Sequence, residues 1–369
     1  MKFHVMPQEL NRHINYCQRA ISSRTTMPIL ECIHFEAKGD ELILTATDLE
    51  LTVQTRLTCG VEEDGEAVIP AAMIGNIFRK LPSQDAIVTE SDHIVKIDCR
   101  DSHFCLNVPD AGEFPNIPEV ESSVVTELDN DVIKNAVAET EFAASIDETK
   151  IALTGIYYER KQNQVHFVTL DGYRLAVRGI RLPEGDMDLS ESVIIPKRAM
   201  NDLTRILDDQ GKTKIRIVPG HIYFESGKQK LFSRLIDKNF INYEEIISTS
   251  FQSEAILSRK DFQDALERAS LLTREERANL IRLTFAGNQL SIESNSEIGR
   301  IHETMELEKA GEDVKIAFNA KYLLDGVKAL SCEKISLKLN GSLNPLVIRP
   351  AEEEEDYLYL VLPVRVANE

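Results

Sequence analysis

The chain repeats one plan three times, and this restricts its folds more than any single motif does. Each copy opens on an amphipathic helix. The apolar positions are Leu10, Ile14, Cys17 and Ile21 in copy one, Ile133, Val137, Thr140 and Ala144 in copy two, and Phe262, Leu266 and Ala269 in copy three. Ile133 follows Leu10 by 123 residues and Phe262 follows Ile133 by 129. A second short helix is expected from Pro70, from Pro196 and from Asn319. The 369 residues therefore divide into three equivalent units of about 123 residues, each the size of a domain.

Between the helices the apolar pattern changes to the two-residue period of strands. Copy one offers His34–Ala37 and Leu42–Ala46 around Gly39-Asp40, then Ile87–Glu90 and Ile94–Cys99. Copy two offers Gly155–Glu159, Val165–Thr169, Lys214–Val218 and His221–Glu225. Copy three offers Ile281–Phe285 and Leu290–Glu293 around Gly287-Asn288, then Ile335–Leu339 and Leu346–Ile348. Ser258 with Asp261 has the spacing of a capping box, and Pro70 and Pro196 suit a first helical turn. Polar linkers near 115–126 and 248–254 separate the copies. The expected fold class is α+β: three similar domains, 1–121, 126–248 and 252–369, each with two helices packed on antiparallel sheet.

Composition removes several classes of function. No apolar run approaches the roughly 20 residues that span a bilayer, and Met1-Lys2-Phe3-His4 does not begin a signal peptide. A cytoplasmic protein with no membrane partner is expected. Six cysteines, with no C-x-x-C pair, read as reduced thiols. No Cys/His cluster has metal spacing, so no metal and no cofactor are expected. The phosphate-binding G-x-x-x-x-G-K-[ST] and the nucleophile elbow G-x-S-x-G are both missing. Asp171 near Arg174, or Asp48 with Glu50, has the form of an acid/base pair, but among 61 acidic residues such pairs arise by chance. No catalytic residue is assigned.

The net charge of −19 argues against indiscriminate binding to nucleic acid. The placement of the cations argues the other way. Opposite the apolar seam Met200, Leu203, Leu207 stand Arg198 and Arg205; opposite Leu323, Val327, Leu330 stand Lys321 and Lys328; opposite Ile74, Ile77, Leu81 stand Ala72 and Arg79. Arg12 and Arg19 add to the stripe from the first helix. One basic helix face is ordinarily a solvated surface. The same face in three copies points to a shared surface for a polyanion, gripped through its backbone without sequence reading. With no Trp and few aromatics, base stacking is not favoured.

Four strings make the assignment specific: Arg24-Thr25-Thr26-Met27-Pro28-Ile29-Leu30, Thr47-Asp48-Leu49-Glu50, Asp171-Gly172-Tyr173-Arg174-Leu175-Ala176, and the ending Leu360-Val361-Leu362-Pro363-Val364-Arg365. In this order and at these separations the chain resembles the bacterial DNA sliding clamps, the beta subunits of DNA polymerase III, over essentially its whole length. The resemblance implies a head-to-tail homodimer, a closed six-domain ring with helices lining a channel for duplex DNA. It implies a processivity factor that tethers the replicative polymerase, the clamp loader and other proteins carrying a clamp-binding motif. A scaffold that never meets DNA is the alternative.

The resemblance also implies sites. A peptide pocket between the second and third domains would comprise Leu153, Leu170, Gly172, Tyr173, Arg174, Leu175, Ile241, Ile246, Asn319, Tyr322, Leu343, Pro345, Val361, Leu362, Pro363, Val364 and Arg365. Tyr173 and Arg174 are expected to supply its polar tips. The sequence departs from the common pattern at Tyr173, Glu245 and Ala278. DNA contacts would be Arg24 and Lys150, beside the stripe residues Arg79, Arg198, Arg205, Lys321 and Lys328. The ring interface would pair Phe104 and Leu106 with Leu271 and Leu272.

Overall fold

The computed structural model of the chain describes residues 1–22, 25–116, 125–182, 190–273, 279–297, 299–352 and 356–365. Copy one contains β1 (Lys2–Val5), α1 (Pro7–Cys17), β2 (Cys32–Lys38), β3 (Glu41–Thr47), β4 (Leu51–Thr58), β5 (Gly60–Glu63), β6 (Gly65–Pro70), α2 (Ala71–Lys80), β7 (Ala86–Ser91), β8 (Ile94–Cys99) and β9 (Ser102–Asn107). Copy two contains β10 (Thr126–Asp129), α3 (Asn130–Thr140), β11 (Gly155–Lys161), β12 (Gln164–Leu170), β13 (Arg174–Arg181), β14 (Ser190–Pro196), α4 (Lys197–Ile206), β15 (Lys212–Val218), β16 (His221–Ser226) and β17 (Gln229–Arg234). Copy three contains β18 (Ser253–Ser258), α5 (Arg259–Thr273), β19 (Leu280–Ala286), β20 (Gln289–Ser296), β21 (Gly299–Glu306), β22 (Glu308–Gly311), β23 (Val314–Asn319), α6 (Ala320–Ala329), β24 (Lys334–Leu339), β25 (Leu346–Pro350) and β26 (Tyr357–Val361). The class is α+β.

Local chemistry explains these elements. α1 begins with Pro7 in its first turn, carries Glu9 at the dipole's positive end, and buries Leu10, Ile14 and Cys17 on one face. It stops at Cys17, so Ile21 lies beyond the helix, after a 3-10 turn over Gln18–Ala20. Ala144 likewise follows α3 and the 3-10 turn Glu141–Ala143. Ser258 Oγ accepts from the Asp261 amide at 3.3 Å, the cap its spacing predicts. Asn319 caps α6 by accepting from the amides of Lys321 and Tyr322. Pro70 and Pro196 do not enter the first helical turn; they close β6 and β14, one residue before α2 and α4. The hairpins β2–β3, β11–β12 and β19–β20 turn at equivalent points, with positive φ at Gly39, Gln162 and Gly287. Copy two lacks the glycine, which is why no turn signal stands out there.

Two compact units result, and both cut through copy two. Unit 1 is 1–133 with 198–235; unit 2 is 134–197 with 236–369. The cause is strand sharing. In unit 1 the sheets run β5-β1-β7-β8-β9 and β10-β15-β16-β17-β4-β3-β2-β6. In unit 2 they run β14-β11-β12-β13-β26-β25-β24-β18-β22 and β21-β20-β19-β23. Half of copy two extends a sheet of copy one; the other half extends a sheet of copy three. Each unit has its own core. Unit 1 buries Leu10, Ile14, Val53, Ile74, Ile77, Met200 and Leu203. In unit 2 Phe262, Leu266, Ala269, Leu323 and Val327 pack with Tyr357 and Tyr359. A Cβ at Gly326 would run into the Tyr359 ring, which explains a glycine inside α6.

The two sheet extensions share one register. β17 meets β4 with Leu231 opposite Val53 and Ser233 opposite Leu51. β26 meets β13 with Tyr359 opposite Ala176 and Val361 opposite Arg174. Leu231 and Tyr359 are equivalent, since Phe224 and Ile348 stand opposite them. Val53 and Ala176 are equivalent by their distance from the hairpin turn. The same counting makes Phe104 the equivalent residue in β9 and Ile301 the equivalent residue in β21. Both β9 and β21 are sheet edges.

Candidate functional site

Unit 2 gathers the expected pocket residues at one end of its nine-stranded sheet. Leu153, Leu170 and Leu175 belong to a single buried cluster with Val168, Val177, Tyr243, Val347, Leu358 and Leu360. These are floor, not surface. Val361 is fully buried in β26, between β13 and β25, so its side chain underlies the site and cannot touch a ligand. The tail beyond it remains accessible. The Leu362 amide donates to Tyr173 O and the Val364 amide to Ala317 O, each at 2.8 Å. Pro363, between them, needs no partner for a backbone N–H. Pro345 and Leu343 precede β25, whose first residue Leu346 lies opposite Val361, so they stand at the same sheet end.

Above this floor stand apolar groups left in solvent. Leu343 is 72% exposed and Tyr173 59%, and Ile241, Ile246 and Leu362 are exposed too. Tyr173 stacks on Tyr322 with ring centroids 6.0 Å apart. The loop beneath Tyr173 is an Asx turn. Asp171 Oδ1 accepts from the amides of Tyr173 and Arg174 at 2.9 and 3.1 Å, and Gly172 takes φ +95°. Copy one builds the same turn from Asp48, with Leu49 at φ +73°. Among apolar groups rimmed by polar ones, such a surface suits a short peptide.

Arg174 corrects the expectation of a polar tip. It is only 8% exposed. Its Nε donates to Asp171 Oδ2 at 3.0 Å, Nη1 to Asp325 Oδ2 at 2.7 Å and Nη2 to Phe142 O at 2.7 Å. The guanidinium lies 4.6 Å from the Tyr322 ring centroid. Burial acts to lower its pKa, but Tyr359, Asp325 and Asp171 outweigh burial and raise it. Arg174 is an internal tie that fixes the Asp171 turn to α6. Lys150 is also placed unexpectedly: its Nζ comes within 3.9 Å of where a Cβ on Gly172 would sit, at the pocket loop. Arg24 and Ala278 lie outside the described residues. Exposed Glu245 is engaged by Asn242 at 2.7 Å.

The cationic stripe is exposed as expected, but it is not purely basic. In unit 1 Arg198 holds Asp48 at 2.6 Å and Asp202 at 3.6 Å; Arg205 and Arg19 reach the same Asp202 at 3.8 and 3.5 Å. Arg79 bonds to Asn76 on its own helix. In unit 2 Lys321 pairs with Asp325 at 2.8 Å and Lys328 with Glu267 at 2.9 Å. The sequence shows the cations through their helical spacing. It does not show partners such as Asp48 and Glu267, which come from other elements.

Two of the expected interface residues sit on the edge strand β9 and two at the end of α5. Phe104 and Leu106 lie on β9, Phe104 exposed and Leu106 half-buried. Leu271, 60% exposed, and Leu272 end α5. Leu272 reaches within 3.9 Å of where a Cβ on Gly299 of β21 would sit. Ile301 of β21 escaped sequence reading, because Ile301 and Met305 are the two large apolar residues of a mostly polar edge strand.

Among the described residues no cluster of His, Cys, Asp or Glu is arranged to hold a metal, and no helix is long and apolar enough to cross a membrane. No disulfide joins any of the six cysteines.

Comparison with known proteins agrees along the whole chain. Residues 1–118, 127–242 and 244–365 match, in turn, the N-terminal, central and C-terminal domains of the DNA polymerase III beta subunit. The beta sliding clamp of Bacillus subtilis (strain 168) is 32% identical, over 99% of this chain and 100% of that protein. The crystal structure of the DNA polymerase sliding clamp from Bacillus subtilis superimposes with a TM-score of 0.95 at 32% identity, covering 100% of both chains. The crystal structure of the beta subunit from DNA polymerase of Streptococcus pyogenes superimposes with a TM-score of 0.95 at 25% identity, over 99% of this chain and 100% of that one.

Proposed function

Since this chain belongs to the DNA polymerase III beta subunit family, we propose that it is a non-catalytic processivity factor. It forms a ring that encircles duplex DNA without sequence preference and tethers the replicative polymerase, the clamp loader and other proteins bearing a clamp-binding motif. Its three domains are 1–121, 126–248 and 252–369. Its place of work is the cytoplasm.

One observation carries the ring. Two junctions within the chain, β17 on β4 and β26 on β13, use the same register, and the strands equivalent to these leave β9 and β21 as unpaired edges. A second copy fills both edges at once: β9 of each subunit joins β21 of the other. The contact is heterologous and closes after two subunits. By the shared register Phe104 stands opposite Ile301 of the partner subunit, Cys105 opposite Arg300 of the partner subunit, and Leu106 opposite Gly299 of the partner subunit. Leu271 and Leu272 cover the helix side of that seam.

The register is open to a direct check. Opposed residues on antiparallel strands have Cα atoms about 4.5–5.5 Å apart, within the range a disulfide accepts. Oxidising an Arg300→Cys variant therefore links it to native Cys105 and yields a covalent dimer on a non-reducing gel; adding Cys105→Ser abolishes it. If Ile301→Cys cross-links and Arg300→Cys does not, the register is wrong.

The stripe then lines the channel. Apart from Arg79, which bonds to the Asn76 amide, its cations are pre-paired with carboxylates, so each of those phosphate contacts exchanges one carboxylate for another anion and gains little. Weak, mobile contacts suffice for a ring held by topology. Changing Arg198, Arg205, Lys321 and Lys328 together to Ser is expected to weaken DNA association and loading, most at low salt, with no change in sequence preference. Processive synthesis at the unaltered rate across a salt series would remove these residues from the channel.

Of the pocket, the exposed apolar groups around Tyr173, Ile246, Leu343 and Leu362 receive partner peptides, while Arg174, Asp171 and Asn319 hold the walls in place. Arg365 is exposed beside them at the end of the described tail.

A further inference from the structure

At the far end of β4 from the Asp48 turn lies a cleft whose residues, Arg12 of the stripe apart, the proposed clamp activity does not use. Glu9, Arg12 and His13 of α1, Arg56 and Thr58 of β4 and Lys228 of the β16–β17 turn enclose about 300 Å³. The backbone fixes two of its cationic residues side by side: the Arg56 amide donates to Lys228 O at 3.1 Å. Lys228 Nζ donates to the neutral Thr58 hydroxyl at 2.8 Å. Arg56 has Glu41 only at 3.8 Å, and its Nε is buried without a hydrogen-bond partner. Arg12 is engaged by Asp208 and Tyr16. Glu9 is the carboxylate in the lining.

The fold does not require these cations. At the equivalent point of the other junction the Gly179 amide donates to Asp356 O at 2.7 Å. Gly179 stands where Arg56 does, and Asp356 where Lys228 does. Buried Ala136 takes the place of His13. The same backbone contact is made there with a glycine and a carboxylate at the two equivalent positions, so the backbone junction does not need the charges of Arg56 and Lys228. His13 reports the local potential. Its Nδ1 lies 2.6 Å from Thr55 Oγ1. Burial first, then Arg12 and Lys228, pull its pKa down to about 4, against Asp208.

We propose that this cleft binds a phosphate group, with Arg56 and Lys228 as its main ligands and Arg12 and His13 in its wall. A guanidinium beside an ammonium offers divergent donors to a tetrahedral anion with several acceptor oxygens. Free orthophosphate and a nucleic-acid phosphodiester share that chemistry. The site stands whether or not the ring closes.

The test uses the full chain with ¹³C-labelled histidine, the His13 resonance being assigned through His13→Gln. Its titration is followed in chloride, in inorganic phosphate at equal ionic strength, and with a short duplex lacking terminal phosphates. A bound anion raises the His13 pKa by about one unit or more. A shift with inorganic phosphate identifies a free-phosphate site, and a shift with duplex alone identifies a phosphodiester site; both support the proposal. Arg56→Gln with Lys228→Gln is expected to weaken either effect about tenfold or more. An unchanged His13 titration in both ligands, or full shifts retained by the double variant, overturns it.

Discussion

Replacing Leu271 and Leu272 with glutamate yields monomers. Leu271 stands in solvent at the end of α5, and Leu272 reaches toward Gly299 on the free edge of β21. In the proposed ring both would be covered by Phe104 and Leu106 of the partner subunit. Two leucines of this kind contribute on the order of 3–6 kcal/mol when buried. Their replacement also forces two carboxylates, without partners, into an apolar seam. Each seam loses several powers of ten in association constant, and a two-subunit ring has two seams. The monomer should keep its fold, because the buried face of α5 is formed by Phe262, Leu266 and Ala269. Analytical ultracentrifugation checks the result, with circular dichroism as control. A folded double variant that still sediments as a dimer places the interface elsewhere.

Deleting Leu362 to Glu369 abolishes partner-peptide binding and leaves the ring intact. β26 ends at Val361, and its pairing with β13 and β25 does not involve the deleted residues. The deletion removes the backbone bonds from Leu362 to Tyr173 and from Val364 to Ala317, and with them one wall of the exposed apolar surface. A peptide that buries two Leu or Phe side chains gains roughly 1.5–3 kcal/mol from each. After the cost of ordering the peptide, affinity near the micromolar range is expected for the intact protein. Calorimetric titration of a polymerase-derived peptide shows no heat with the truncated chain. Unchanged affinity excludes this surface.

The repeat made much of the architecture legible. Apolar spacing located α1 to α6, because each buries one face on a sheet, and a two-residue period located strands such as β2, β3, β19 and β20. Less legible were edge strands such as β21, whose exposure alternates along a mostly polar sequence. The assignment of copy two's strands to two different sheets was also hidden, since pairing between distant segments leaves no local period. The exposed rim of the site was readable only through the resemblance, carried by strings such as Asp171–Ala176 and Leu360–Arg365. The role of Arg174 was not. Its three acceptors, Asp171, Asp325 and the Phe142 carbonyl, come together only in the folded unit. The partners of the cationic stripe were hidden for the same reason, with Asp202 shared by arginines from α4 and from the turn after α1. Ile301 became visible only through the shared register of the two internal junctions.

Encirclement is the central claim, and retention on DNA of different topology tests it most directly. The protein is loaded by a clamp loader onto nicked circular duplex, and bound protein is measured in moderate salt before and after the circle is cut once. The account predicts stable retention on the circle and rapid loss from the linear form, with loss prevented when both ends are blocked by bulky adducts. Equal retention on circular and open-ended linear DNA would contradict it.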